Sequence, residues 1–161
     1  MGEYAVAAET VDGTGMRFAI AVSRFNEDIT GPLTEGARRT FRARGVADDD
    51  VTLVHVPGAF ELPLIAQHLA RTGTVDGVVC LGAVIRGDTP HFEYVAGEAA
   101  RGLQEAALAT GVPVVFGILT TNTHAQAVDR IGGSEGHKGE EAAATALEMV
   151  ALLRSLPPVR G

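Results

Sequence analysis

His91 is the residue of this chain best placed to move a proton. It ends the segment RGDTPH, Arg86–His91, which follows the apolar run GVVCLGAV and opens a helical pattern. A helix start leaves backbone N–H groups unpaired and carries partial positive charge, so it offers a seat for phosphate. An imidazole beside that seat exchanges protons near neutrality. The chemistry suggested is acid–base assistance to a reaction of a phosphate-bearing substrate. The competing reading is structural: Asp88 or Thr89 caps the helix and Pro90 takes its first position, as in many helices without function.

Further candidates recur wherever an apolar run ends. SRFN places the aromatic Phe25 in a polar turn, and VPGAFELP places Pro57 and Gly58 before Glu61. Phe116 and Gly117 precede the segment TTNT, Arg130 lies just before a glycine-rich stretch, GGSEGHKG, and Lys138 lies within it. In a parallel α/β sheet, ligands collect beyond the carboxyl ends of the strands, where these features fall. Each also has an ordinary explanation. Phe25 and Phe116 would by default be core residues; as site residues they would stack on a flat heterocycle. Glu61 would complement a helix dipole or accept hydrogen bonds from hydroxyls. Arg130 would compensate a helix end or clamp a phosphate, and Lys138 would be a solvated charge or a second phosphate contact.

Other site types fit poorly. The sequence has no GxGxxG after its first strand pattern, no GxxxxGK[ST] and no GxSxG. Its histidines (His55, His68, His91, His124, His137) lack close zinc-ligand spacing and there is no cysteine pair, so no metal site is expected. The lone Cys80 lies in an apolar strand run and is expected to be a buried thiol. A formal charge of -7 argues against general nucleic-acid binding. Apolar runs are far short of the ~20 residues of a membrane span. The opening MGEYAVAAETVDG lacks a basic start and a long apolar stretch, so a cytoplasmic protein is expected.

The elements that must position these residues alternate along the chain. Strands are expected at 16–23, 51–56, 77–84 and 112–119, with helices at 30–44, 60–71, 90–110, 125–131 and 139–153. In the first helix Leu33, Ala37 and Phe41 repeat at helical spacing, and Pro32 requires an opening-turn position. Near-continuous apolar strands separated by helices indicate a parallel sheet covered on both faces. The expected fold is therefore a three-layer α/β/α sandwich with a four-stranded parallel, flavodoxin-like sheet. Residues 4–9 alternate weakly and suggest an extra N-terminal strand that pairs with a neighbouring subunit. At 161 residues and 46% hydrophobic content, one domain, 1–161, is expected.

In this order and spacing, SRFN, VPGAFELP, LGAVIRGDTPHFEYV, VPVVFGILTTNT and HKGEEAAATALEM resemble the 6,7-dimethyl-8-ribityllumazine synthase family, from about Gly13 to Leu153. The resemblance implies a transferase of riboflavin biosynthesis. It would condense 5-amino-6-(D-ribitylamino)uracil with 3,4-dihydroxy-2-butanone 4-phosphate, with no cofactor or metal. It also implies roles. Phe25 would stack on the uracil, and Ala59, Phe60 and Glu61 would hold the ribityl chain. The backbone of Ala83, Val84 and Ile85 would read the ring edge, Asp88 and Thr89 would serve the phosphate, and His91 would transfer protons. Phe116 and Arg130 would come from a neighbouring subunit of a homopentamer, with Lys138 close by. The uninterrupted spacing from Arg130 to Lys138 matches members that build a 60-subunit icosahedral shell. Where the family commonly has an apolar residue and an asparagine, this chain has His124 and His137. The alternatives are a paralogous riboflavin synthase, a non-catalytic flavin- or lumazine-binding module, and a shell that serves mainly as scaffold.

Overall fold

In the computed structural model, which describes Met1–Gly161, four parallel strands form the central sheet. They are β1 (Phe18–Ser23), β2 (Val51–Val56), β3 (Gly77–Ile85) and β4 (Val114–Thr121), in the order β2-β1-β3-β4. The helices are α1 (Glu27–Ala43), α2 (Leu62–Arg71), α3 (His91–Thr110), α4 (His124–Val128) and α5 (Lys138–Ser155). Every residue of β1 is buried, as the apolar run FAIAV demands of a strand covered on both faces. Alternate strand residues serve two cores. Phe18, Ile20, Leu81 and Val79 pack with Leu33, Phe41 and Leu147 of α1 and α5. Ala19, Ala21, Val78 and Cys80 pack with Leu62, Ala66 and Leu103 of α2 and α3. This is the expected three-layer α/β/α sandwich.

The chain leaves β1 for β2, then crosses back over β1 to reach β3. The strand order therefore reverses beside β1, and a crevice opens between the carboxyl ends of β1 and β3. Two close approaches fix the α1/α5 layer. A Cβ added at Gly139 would lie 2.1 Å from the Leu33 carbonyl oxygen, so the two helices meet backbone to backbone there. The ring of His137 fills the space above Gly36, and its Nδ1 accepts a hydrogen bond from the Glu140 amide at 3.2 Å, capping α5. His124 begins α4 and its Nε2 stands 2.6 Å from Asp28 Oδ2 of α1. His124 and His137 thus both tie other elements to α1.

Residues 4–9 form no strand within the single chain, and their expected pairing is with a neighbouring subunit. The Thr10 amide and hydroxyl both bond the Ala7 carbonyl, closing a 3-10 turn at Ala8–Thr10 that uses its donors locally. The structure differs from the expectation in two places. Helix α1 starts at Glu27, so Pro32 falls inside it rather than in its first turn. Asn26 sets that start by adopting the left-handed region (φ 62), while the carbonyl that Pro32 leaves without a donor belongs to the exposed Asp28. Finally, α4 ends at Val128, and Ile131–Gly133 (β5) pairs antiparallel with Gly136–His137 (β6).

Candidate functional site

The crevice holds a cavity of about 650 Å³, lined by the turns that follow three strands and by the start of α3. The first wall is the turn after β1. The Arg24 amide donates to the Val56 carbonyl and the Phe25 amide to the Pro57 carbonyl, while Asn26 Nδ2 donates to the Ala83 carbonyl at 2.9 Å. These bonds pin the backbone of Phe25 between the ends of β2 and β3. The residue is nonetheless 72% exposed and lines the cavity rather than the core. With the exposed Phe60 and Tyr94 on the same cavity it contributes to an apolar patch, and contiguous exposed patches mark binding surfaces.

The second wall is the 3-10 turn Ala59–Glu61 before α2. Glu61 closes it: the Gly58 amide donates to Glu61 Oε2 at 3.0 Å. One carboxylate oxygen is thereby partly committed to the turn, and Glu61 still lines the cavity beside Ala59 and an exposed Phe60. The third wall is the end of β3, Ala83–Ile85. β1 pairs with β3 only as far as Val22 and Leu81, so from Ala83 onward the β1-facing edge of β3 has no strand beside it and its backbone borders the cavity.

The fourth wall is the start of α3, at His91. Pro90, which cannot donate, occupies the cap position of α3, and no side chain caps the helix. Thr89 Oγ1 makes only a long contact to the His91 amide, 3.4 Å. The Glu93 amide is taken by the Pro90 carbonyl at 3.0 Å, so the Phe92 amide and, beyond that long contact, the His91 amide are the ones left for an anion. Gly87, Thr89 and His91 line the cavity; Asp88 does not, and is exposed. Sequence reasoning did not single out Phe92, Tyr94 and Val95, which also line it. The signal was the aromatic spacing in HFEYV: Tyr94 is 69% exposed, which no core-facing helix stripe requires.

Phe116, Arg130 and Lys138 lie elsewhere. They line a second groove along the open edge of β4, between the last turns of α3 and the first turns of α5. None of its lining residues is shared with the cavity. Phe116 is 47% exposed there, so it too is not a core residue. The Lys138 amide bonds the Arg130 carbonyl at 2.8 Å across the β5–β6 hairpin, which holds the backbones of the two residues side by side. Arg130 Nη1 also donates to the Gln126 carbonyl at 2.9 Å, and Lys138 Nζ pairs with Glu141 at 3.1 Å.

The chemistry of the remaining groups narrows the choice. Cys80 is fully buried in β3, and burial pushes its thiol up to about 12, so at neutral pH it is protonated and inert. No cluster of three or more His, Cys, Asp or Glu side chains has metal-binding geometry. No helix is long and apolar enough to cross a membrane.

Two comparisons bear on this geometry. The family model described as 6,7-dimethyl-8-ribityllumazine synthase matches residues 15–154. Proteins named 6,7-dimethyl-8-ribityllumazine synthase from two strains of Thermus thermophilus are each 56% identical to this chain over 142 residues. The match covers 88% of this chain and 90% of each relative.

Proposed function

Since the chain belongs to the 6,7-dimethyl-8-ribityllumazine synthase family, we propose that its cavity is one half of an active site that a neighbouring copy completes. The protein is a transferase of riboflavin biosynthesis. It condenses 5-amino-6-(D-ribitylamino)uracil with 3,4-dihydroxy-2-butanone 4-phosphate to give 6,7-dimethyl-8-ribityllumazine. The uracil's amine attacks the ketone and water leaves as an imine forms. Phosphate is then eliminated, and the ribitylamino nitrogen closes the second ring with loss of water.

The reactants are already an amine and a carbonyl compound, so holding them in register supplies much of the acceleration. Phe25 stacks on the uracil, and the backbone of Ala83, Val84 and Ile85 reads its polar edge. Ala59, Phe60 and Glu61 hold the ribityl chain, Glu61 accepting hydrogen bonds from its hydroxyls. The uncapped start of α3, with Asp88 and Thr89, receives the phosphate as it departs, and His91 relays protons to and from the reacting nitrogen and oxygen atoms. Phe116, Arg130 and Lys138 of the next copy close the site, the two cations facing the phosphate.

The observation that carries this reading is the meeting of Phe25, Glu61, the β3 edge and His91 around a single cavity while both cations sit in a separate groove. A cavity and a groove on different parts of one chain make a head-to-tail contact when each copy docks its groove on the next, and such contacts form a ring when the rotation closes. We take the ring to be a homopentamer, the whole chain acting as one unit, with the N-terminal segment lying along the open edge of a neighbour's β2. Twelve such rings form a hollow 60-subunit shell in the cytoplasm.

The test mixes purified protein with both substrates and follows lumazine absorbance against a protein-free control. Formation that saturates in both substrates, and that His91→Ala slows by about 10²–10⁴-fold, supports the reading. Tight lumazine binding without turnover overturns it in favour of a binding module. Riboflavin formed from lumazine alone would identify the paralogous synthase.

A further inference from the structure

The loop that carries the phosphate seat, Arg86–Pro90, is almost free of the rest of the fold. Its long-range hydrogen bonds all come from one residue. The Arg86 amide donates to the Thr121 carbonyl at 2.9 Å, and Arg86 Nε donates to Asn122 Oδ1 at 3.0 Å. The same guanidinium lies over the ring of Phe92, 4.5 Å from its centroid, and its Nη1 reaches Glu93 Oε1 at 3.4 Å. Phe92 and Glu93 immediately follow His91. Arg86 itself does not line the cavity, although Ile85, Gly87 and Phe92 do.

We propose that Arg86 is a positioning residue for His91: it clamps the first turn of α3 onto the end of β4 and so fixes where the imidazole stands. This rests on the reading of His91 as the proton-transfer residue. The clamp has two sides. Stacking on Phe92 holds the helix start, and the Nε bond to Asn122 holds the strand end. Asn122 is itself fixed, because its amide donates to Gln126 Oε1 at 2.7 Å in the capping turn of α4. A planar guanidinium performs both tasks with one group, by its face and by its edge. Lysine offers a point charge with neither the plane nor the Nε donor. Without the clamp, Gly87–Pro90 has no long-range bond of its own, and a displacement near 1 Å at His91 costs about 10²-fold in rate.

The experiment is a double-variant cycle on the assembled enzyme, read as kcat and as KM for each substrate. Arg86→Ala is expected to lower kcat by about 10–100-fold while KM for the ribitylaminouracil moves less than about 2-fold, since its seat rests on β1, β2 and β3. In a His91→Ala background, Arg86→Ala should change kcat by less than about 2-fold, because a residue that acts through another loses its effect when that other is gone. Arg86→Lys should resemble Arg86→Ala. Full additivity in the double variant, beside a slow His91→Ala, overturns the proposal alone. A raised KM for the butanone phosphate in Arg86→Ala that Arg86→Lys restores also overturns it, by making Arg86 a direct phosphate ligand. A His91→Ala enzyme at full rate removes the proton-transfer reading and the proposal with it. If Arg86→Ala does not assemble, Asn122→Ala removes one side of the clamp. It should show a smaller kcat loss that His91→Ala again absorbs, and additivity there overturns the proposal equally.

Discussion

Phe25→Ala separates binding from folding more cleanly than any other substitution in the cavity. A phenylalanine side chain has about 150–250 Å² of surface to bury, and 72% of Phe25 is open. A heterocycle covering one face of the exposed part removes on the order of 70 Å² of ring from water, about 1.8 kcal/mol at ~25 cal/mol per Å². Alanine substitutions at aromatic–base stacks give about 1–3 kcal/mol, which brackets that figure. The expected result is about a 20- to 30-fold rise in both KM for the ribitylaminouracil and Kd for the lumazine product. Because the ring contributes little to the core, and the backbone bonds of Arg24, Phe25 and Asn26 survive the change, Tm should move by less than about 2 °C. Product binding is read by fluorescence titration, KM by lumazine absorbance and Tm by calorimetry. Unchanged KM and Kd would refute the stacking role. A fall in Tm of 5 °C or so with unchanged binding would make Phe25 a packing residue despite its exposure.

Three further outcomes are expected. Gly139→Ala drives a Cβ into the Leu33 carbonyl and should cost about 1–3 kcal/mol, read as a Tm lower by several degrees; an unchanged Tm would mean that α1 and α5 separate freely. Equal mixtures of His91→Ala and Arg130→Ala subunits, unfolded and reassembled together, should recover about one quarter of wild-type activity, because a closed ring pairs intact halves by chance. A mixture no more active than its parents would place both residues in one chain's site. Finally, the folded-state pKa of Cys80 is raised to about 12 by burial, whereas an exposed thiol ionises near 8.5. Its contribution to stability is complete below pH ~8.5 and should be lost by about 1.4 kcal/mol per pH unit as pH rises towards 12. Denaturant titrations of wild type and Cys80→Ala should diverge over that window, and parallel curves would show the thiol to be solvated.

Much of the fold was legible because buried parallel strands are written as uninterrupted apolar runs. GVVCLGAV reads as a strand over Gly77–Val84 and folds as β3 with one residue more, and even VTLVHV, a partly exposed edge strand, folds with the bounds read for it, Val51–Val56. What was not legible has no periodicity to show. The hairpin β5–β6 is built on IGGSEGH, where glycines carry no hydrophobic pattern. The start of α1 depends on Asn26 entering the left-handed region and bonding a carbonyl 57 residues away, which outweighs the boundary suggested by Pro32. In the site, the segments after β1, β2 and β3 converge on one cavity, whereas Phe116, Arg130 and Lys138 line a separate groove. Phe25 and Phe116 were ambiguous in sequence because an aromatic residue near a strand end is core by default, and only their exposure separates the two readings. Phe92, Tyr94 and Val95 were missed because apolar residues in a helix pattern look like its packed face. Arg86 could not be seen, since its stack on Phe92 and its bond to Asn122 exist only after β3, α3 and β4 have come together.

The solitary thiol of Cys80 gives this protein an internal clock. It sits in the middle of the strand whose end walls the cavity, with no exposed surface. A thiol-specific reagent can reach it only when β3 parts from its neighbours, so the labelling rate reports how often the heart of the sheet opens. No fluorophore or engineered tag is needed, and the surface offers the reagent no competing target. A ligand bound across the end of β3 must then slow the clock. At a hundred times its Kd, binding adds about 2.7 kcal/mol to the native state, which lengthens the labelling time about a hundredfold. Occupancy of a cavity at the rim becomes readable from a sulfur atom that no ligand touches.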